Sequence, residues 1–527
     1  MTKGANRLIS GAIILTIAGI ISKLLSAMYR IPLQNLTGDL GFYTYQQIYP
    51  VIATVMILSL YGFPVAVSRL TKDQIVNGKP IDQRFYVIPV FFILFTISVL
   101  MAIILFLFAP TLAQVMHDEQ LTFSLQLSAL LFLFIPFLSL FRGLFQAELQ
   151  VEATAYSQIV EQLIRVTIII IGAWLIFDGS LHVRSIAEVG VLASFISMLV
   201  ASILLFGFFL HRYPFVKSTK NVHYKIEWKQ FIKTIITFGL IASLNHLTLI
   251  FIQFVDTITL VPQLLKMGLN SLEAMEQKGI FDRGIPLIQI GVVLGSSFAL
   301  LFVPSITEKK HQNELEGVRD AFSISVYLAV GATIGLIILF PEVNRLLYQN
   351  DLQTGVLQIL AISIVLLSIS IIGSAILQAS QYVAYTIVSL TIAVAAKWLL
   401  NYSLVPLWGT YGSAIATVSS LFLLSILIVS GIYRKTQFSP LKYIRYGPLI
   451  VASSMMTLYL FVIKWFIQSD NFSRFMLLYY VMFLVLSGAF IYVLVLIRFS
   501  VFNERQLKAL PISKLWLTLD RYVNKQR

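Results

Sequence analysis

Runs of about 20 predominantly apolar residues, each long enough to cross a bilayer as a helix, follow one another along almost the whole chain. About fourteen can be marked out on that criterion: residues 8–31, 43–67, 86–109, 122–141, 155–177, 187–210, 232–258, 285–306, 321–340, 355–377, 383–404, 412–432, 447–467 and 475–497. Only 12% of the residues are charged, against roughly 25% in a soluble domain. In lipid every backbone polar group must be satisfied internally, which leaves helices or closed barrels. The apolar runs lack the alternation of a barrel strand. The expected class is therefore an all-α integral membrane protein.

The opening run follows Lys3 and Arg7 but is too long for a secretory leader, and no small-residue cleavage site follows it. It reads as the first crossing. An even number of crossings puts both termini on one side, and the Lys/Arg bias says which. With the N-terminus inside, 27 of the 38 Lys and Arg fall in inner segments and the tail. Six fall outside: Arg184, Lys266, Lys278, Arg283, Arg345 and Arg474. Both termini are thus expected on the cytoplasmic side. The net charge of +14 is accounted for by these inner segments, so nucleic acid is not implied as a partner. Arg142 reads as lying in an inner segment. The stretch 261–284 reads either as a surface helix or as a re-entrant piece.

The basic stretch 211–231 separates a first lobe, 1–210, from a second, 232–432. Residues 433–497 add two further crossings, and 498–527 form a basic tail. That tail suits either the anionic inner leaflet or solvent.

Five basic residues lie within the apolar runs: Lys23, Arg30, Arg165, Lys397 and Lys464. A basic group at mid-bilayer costs roughly 2.5–3.5 kcal/mol on insertion scales, so it faces a protein interior or a wet cavity. Thr16, Gly19, Lys23, Ser26 and Arg30 follow the 3–4 spacing of one helix face, and none is a large apolar residue. Arg30 is close enough to a helix end to reach the interface by snorkelling. Glu161 and Arg165 stand at i,i+4 and can neutralise each other. Asn245, His246, Thr248, Gln253 and Asp256 crowd polar groups into the seventh run, and Lys397 and Asn401 form another i,i+4 pair. Lys464 reads as snorkelling. Cations outnumber carboxylates, which suits an anionic ligand such as a phosphate. A cation antiporter would want lone buried carboxylates, for which Asp256 is the candidate.

The chain has no cysteine, which excludes disulfides and thiolate metal sites, and its six histidines show no metal-ligand spacing. No nucleotide loop or nucleophile motif is present. Neither catalytic residues, a metal nor a cofactor is expected. Transport by such a chain draws on the membrane potential, H+ or Na+.

The segments "SKLLSAMYRIPLQNLTGDLGFYTYQQIYP" and "LSLYGFPVAVSRL" resemble the opening of the SpoVB/YtgP-type polysaccharide-biosynthesis membrane proteins. Residues 141–166, 255–268 and 397–420 extend the match in order. That family lies in the MOP (multidrug/oligosaccharidyl-lipid/polysaccharide) superfamily and is related to the lipid II flippase MurJ. The resemblance implies two six-helix lobes around a central cavity, with two C-terminal helices appended. It implies a bacterial cytoplasmic membrane, and a monomer that flips an undecaprenyl-pyrophosphate-linked saccharide by alternating access. Membrane lipids and the cell-wall synthesis machinery are the implied partners. Basic residues of the first helix would hold the pyrophosphate. Lys23 stands here where the family has Arg, Arg30 follows the next basic position by one residue, and Arg283 lies about one turn from the eighth-helix basic position. The alternatives are a drug or cation antiporter of the same fold, and a non-transporting scaffold for division or sporulation.

Overall fold

The computed structural model describes residues 17–76, 81–212, 228–300, 311–437, 439–509 and 513–524. Among these the regular structure is entirely helical, and twelve stretches are long and apolar enough to cross a membrane. Fourteen is not reproduced as a count of separate stretches. The first two expected crossings merge into one helical stretch, Ile17–Val76. The eighth, Gly284–Leu300, has 17 residues, and the rest of that expected run, 301–306, lies outside the described residues. So do the opening 8–16 and residues 213–227 of the expected basic linker.

The chain forms two compact units, Met1–Gly279 and Ile280–Arg527. In the first, α1 (17–28) passes through Tyr29, itself in helical conformation, into α2 (Arg30–Ile57). The break between the first two crossings comes later, at Gly38, with φ +70° and ψ −174°. Only glycine adopts that conformation without strain. A Cβ there would meet nothing within 4 Å, so the requirement is on the backbone rather than on space. From 17 to 37 the helix is about 31 Å long at 1.5 Å per residue, close to the thickness of a hydrocarbon core.

A π-turn, Leu58–Gly62, links α2 to α3 (Phe63–Val76). There follow α4 (Ile88–Val115), α5 (Leu121–Ala129), α6 (Ile135–Ala147), α7 (Val151–Phe177) and α8 (Ile186–Arg212). α9 (Trp228–Lys266) packs into this unit along α2 and α3. Gly62 and Gly239 allow the approach: a Cβ at Gly62 would lie 2.9 Å from the Gly239 carbonyl oxygen. The outer stretch 261–284 resolves into the last turns of α9 and a short helix, α10 (Ser271–Asp282). α10 crosses tightly behind the Gly38 break, where a Cβ on Gly279 would sit 2.2 Å from the Asp39 carbonyl oxygen.

The second unit contains α11 (Gly284–Leu300), α12 (His311–Tyr348), α13 (Thr354–Ala361), α14 (Ser363–Ala379), α15 (Val383–Trp408) and α16 (Thr410–Thr436). It closes with α17 (Tyr446–Phe466), α18 (Arg474–Arg498), α19 (Glu504–Ala509) and α20 (Ser513–Asn524). Lys464 does not snorkel free. Its Nζ lies 3.0 Å from Glu342 Oε1 and donates to the Ile338 carbonyl at 2.8 Å. A carboxylate within reach in a dry helix interface outweighs the entropy of an extended lysine.

Candidate functional site

Four basic residues on α1, α2, α6 and α7 of the first unit, Lys23, Arg30, Arg142 and Arg165, divide by their partners. Arg142 reads from sequence as an inner-loop residue, but α6 continues to Ala147 and buries it completely. Each of its three guanidinium nitrogens donates a hydrogen bond. Nε donates to Ser157 Oγ at 3.1 Å, one Nη to the Ser59 carbonyl at 3.1 Å, and the other to Glu161 Oε2 at 2.7 Å. Ser59 lies in the π-turn, and its carbonyl caps the fork of Arg142. Glu161 is therefore paired with Arg142 and not, as the i,i+4 spacing suggests, with Arg165. The reason is geometric. Arg142 approaches from a neighbouring helix and can point its fork at the carboxylate, while Arg165 extends along its own helix toward Gln162 and Met56.

Arg165 is buried, and neither partner of its guanidinium, Gln162 Oε1 or Met56 Sδ, carries charge. Arg30 is 0% exposed, so snorkelling is ruled out for it. Its Cζ sits 4.0 Å above the Tyr49 ring. Among the described residues no atom meets hydrogen-bond geometry with its three guanidinium nitrogens, although the Tyr29 hydroxyl lies close enough to interact with the charge. A guanidinium has five N–H donors, and leaving them unused in a buried position is costly. Tyr29 and Tyr45, joined through their hydroxyls and packed edge-on with centroids 6.1 Å apart, complete the surroundings. Arg30 and Arg165 both lie within electrostatic reach of these two tyrosines. Gly190 on α8 makes room for them, since a Cβ there would be 2.6 Å from Tyr45 Cε2.

Lys23, two turns before Arg30, is half-buried, as is Ser26. Lys23 lies within electrostatic reach of His246 on α9, whose ring stacks on Tyr61 of the π-turn at 3.8 Å between centroids. Further along α9, Asn245 is half-buried, while Gln253 and Asp256 are buried. Among the described residues the Gln253 amide nitrogen has no hydrogen-bond partner. Among the described residues, no carboxylate lies at ion-pair distance from Lys23, Arg30 or Arg165. Among the described residues the fold thus presents three positive charges, on α1, α2 and α7, with no carboxylate at ion-pair distance.

The remaining expected residues lie in the second unit and are held there. Arg283 is buried, donates to Asn350 Oδ1 at 2.6 Å, and lies 5.1 Å from the Tyr348 ring centroid. Lys397 is 0% exposed and donates to Thr417 Oγ1 at 2.8 Å, one turn from buried Asn401.

The reading from sequence passed over Arg142 and the tyrosines. The tyrosine signal was present in "YTYQQIY", where Tyr45 and Tyr49 share a helix face, but aromatic residues in an apolar run read as packing. No group of three or more His, Cys, Asp or Glu that could hold a metal occurs among the described residues.

A family model described as "Polysaccharide biosynthesis protein" matches residues 8–308, more than half of the chain. The chain belongs to this family, within the MOP superfamily. A relative in Bacillus subtilis (strain 168), the uncharacterized membrane protein YabM, is 33% identical over 515 residues, covering 96% of this chain and 95% of that protein. The lipid II flippase MurJ of the same organism is 24% identical over 443 residues, covering 78% of this chain and 80% of that one. A solved structure of lipid II flippase MurJ in an inward closed conformation superposes with a TM-score of 0.66 at 16% identity, over 92% of this chain and 98% of that one. The family member described here is therefore a multi-span membrane protein with a MurJ-like fold.

Proposed function

We propose that the protein is a flippase that moves an undecaprenyl-pyrophosphate-linked saccharide from the inner to the outer leaflet of a bacterial cytoplasmic membrane. Lipid II or a related cell-wall precursor is the favoured substrate, and movement proceeds by alternating access with both termini cytoplasmic. The observation that carries this reading is Arg30: a fully buried guanidinium packed among tyrosines, with no carboxylate at ion-pair distance from it, from Lys23 or from Arg165 among the described residues. An anionic head group supplies what these groups lack. Charge-assisted hydrogen bonds to a pyrophosphate are worth roughly 1.5–3 kcal/mol each. The prenyl tail remains in lipid throughout, so the protein houses only the head group. The kinship with a lipid II flippase supports the same substrate class. Driving force comes from the membrane potential or an ion gradient, and no bound cofactor takes part.

An antiporter for cationic drugs fits less well, because buried Glu161 is neutralised by Arg142 and Asp256, the candidate carboxylate, is buried with an interaction partner rather than alone. The test is replacement. The essential lipid II flippase of a host is depleted, this chain is expressed instead, and lipid II accessible at the outer leaflet is measured. Restored accessibility that disappears in Lys23→Ala/Arg30→Ala at matched expression supports the proposal. Absence of restoration by well-inserted protein removes lipid II as the substrate. Tolerance of that double substitution, with loss of function on deleting 500–527, favours the scaffold.

A further inference from the structure

The end of the second unit turns back on itself and grips α12. Asn503 and Gln506 form a reciprocal capping box at the start of α19: the Asn503 N–H donates to Gln506 Oε1 at 3.0 Å, and the Gln506 N–H donates to Asn503 Oδ1 at 2.8 Å. The remaining amide groups of the same two side chains reach α12. Asn503 Nδ2 donates to Asp320 Oδ1 at 2.7 Å, and Gln506 Nε2 donates to Ser323 Oγ at 2.9 Å. Asp320, Gln506 and Leu507 are buried at this joint, with Arg505 paired to Glu316 at its rim.

Beyond the joint, α20 runs back beside α18. The Trp516 ring lies 6.2 Å from that of Phe490. Phe490 stands eight residues before the end of α18 at Arg498, which is about 12 Å along the helix. Phe490 is itself among the exposed apolar residues of α18. α20 is thus drawn up the flank of a membrane-crossing helix. Its exposed residues Lys514, Thr518 and Arg521 follow a 4–3 spacing along one face, while Trp516, Leu517 and Leu519 are half-buried. The segment 498–527 carries seven Lys and Arg against Glu504 and Asp520. Arg505 and Lys508 are engaged by Glu316 and Glu504, and on α20 Lys514 and Arg521 are exposed.

We infer that α19 and α20 form a clasp that binds the anionic phospholipids of the inner leaflet and transmits that hold to the near end of α12. The apolar side chains and Trp516 set the depth. Lys514 and Arg521 set the lipid preference, each basic residue being worth about fivefold in partition near an anionic surface. The leaflet follows from the Lys/Arg bias along the chain. The inference does not depend on the transported substrate.

The absence of cysteine in the chain makes the test direct. The purified protein, with Leu519→Cys carrying a spin label, is placed in lipid nanodiscs of phosphatidylcholine alone or with about a third phosphatidylglycerol, a fraction that gives a strongly anionic surface. Collision with oxygen and with an aqueous nickel complex reports depth. Hydrogen exchange over residues 316–325 of the unlabelled protein reports the joint. The expected result is a label shielded from nickel in the anionic discs, with exchange at 316–325 slowed several-fold relative to phosphatidylcholine discs. Both effects should be lost in Lys514→Glu/Arg521→Glu. Asn503→Ala/Gln506→Ala should keep the label at depth but lose the slowing. A label open to nickel in both discs would overturn the inference in favour of a solvated tail. Equal depth and equal exchange in both discs would overturn the anionic preference.

Discussion

Replacing Arg30 by methionine distinguishes a cation kept for a ligand from one kept for architecture, because the two roles predict opposite signs. Arg30 is fully buried, and among the described residues no carboxylate pairs with its guanidinium. Its evident compensation is the Tyr49 ring at 4.0 Å, a contact worth about 0.5–2 kcal/mol. Substituting apolar residues for buried charge commonly gains about 1–4 kcal/mol. The ligand-free protein should therefore gain about 1–2 kcal/mol in Arg30→Met. In a unit this large, that raises the thermal midpoint by about 2–4 °C. Arg142→Met is the control of opposite sign. It strands Glu161, which now accepts from Arg142 at 2.7 Å. Breaking such a pair costs about 3–5 kcal/mol, or about 6–10 °C at the same sensitivity. The assay is thermal unfolding of purified protein in detergent, followed by tryptophan fluorescence, with and without inorganic pyrophosphate. Pyrophosphate should raise the midpoint of the unsubstituted chain and leave Arg30→Met unmoved. If Arg30→Met falls as far as Arg142→Met, Arg30 is a structural cation, and the argument from its missing partners is wrong.

Three further outcomes follow from the packing. Gly38→Ala forces a Cβ into φ +70° and should lower stability by about 1–2 kcal/mol, whereas Gly207→Ala, with nothing within 4 Å of its Cβ position, should raise it by up to about 1 kcal/mol; thermal midpoints of the pair check both. Lys464→Met should cost about 3 kcal/mol by stranding Glu342, whose side chain is only 6% exposed, and adding Glu342→Gln should recover most of it, which a double-substitution cycle measures. Gly190→Ala places a Cβ 2.6 Å from the Tyr45 ring edge, an overpacking worth about 1–3 kcal/mol; it should abolish the pyrophosphate-dependent rise in midpoint while leaving an inserted, helical protein by circular dichroism.

The crossings were legible from local hydropathy because each residue's preference for lipid adds along a run, whatever packs beside it. The shared spacing of Lys23, Ser26 and Arg30 was legible for the same reason: it depends on one helix. Boundaries were not, and that is why Arg142 was assigned to a loop. The five or six residues by which α6 outruns its apolar stretch include a basic group that only becomes tolerable once Glu161, Ser157 and the Ser59 carbonyl surround it. The tight approach of α9 to the π-turn through Gly62 and Gly239 likewise left no trace in hydropathy, which does not distinguish a glycine that lines an interface from one that faces lipid.

What the sequence determined by itself was the solvent and the class of fold: a helical chain in lipid, with basic residues placed inside its crossings. Those properties are sums over residues. What the tertiary structure alone decided was which charge answers which. Glu161 is four residues from Arg165 in the chain and nineteen from Arg142, yet it bonds Arg142. An ion pair is set by where two side-chain ends arrive after helices pack, not by distance along the chain. That single exchange of partners leaves Arg165 buried, like Arg30, with no carboxylate at ion-pair distance among the described residues.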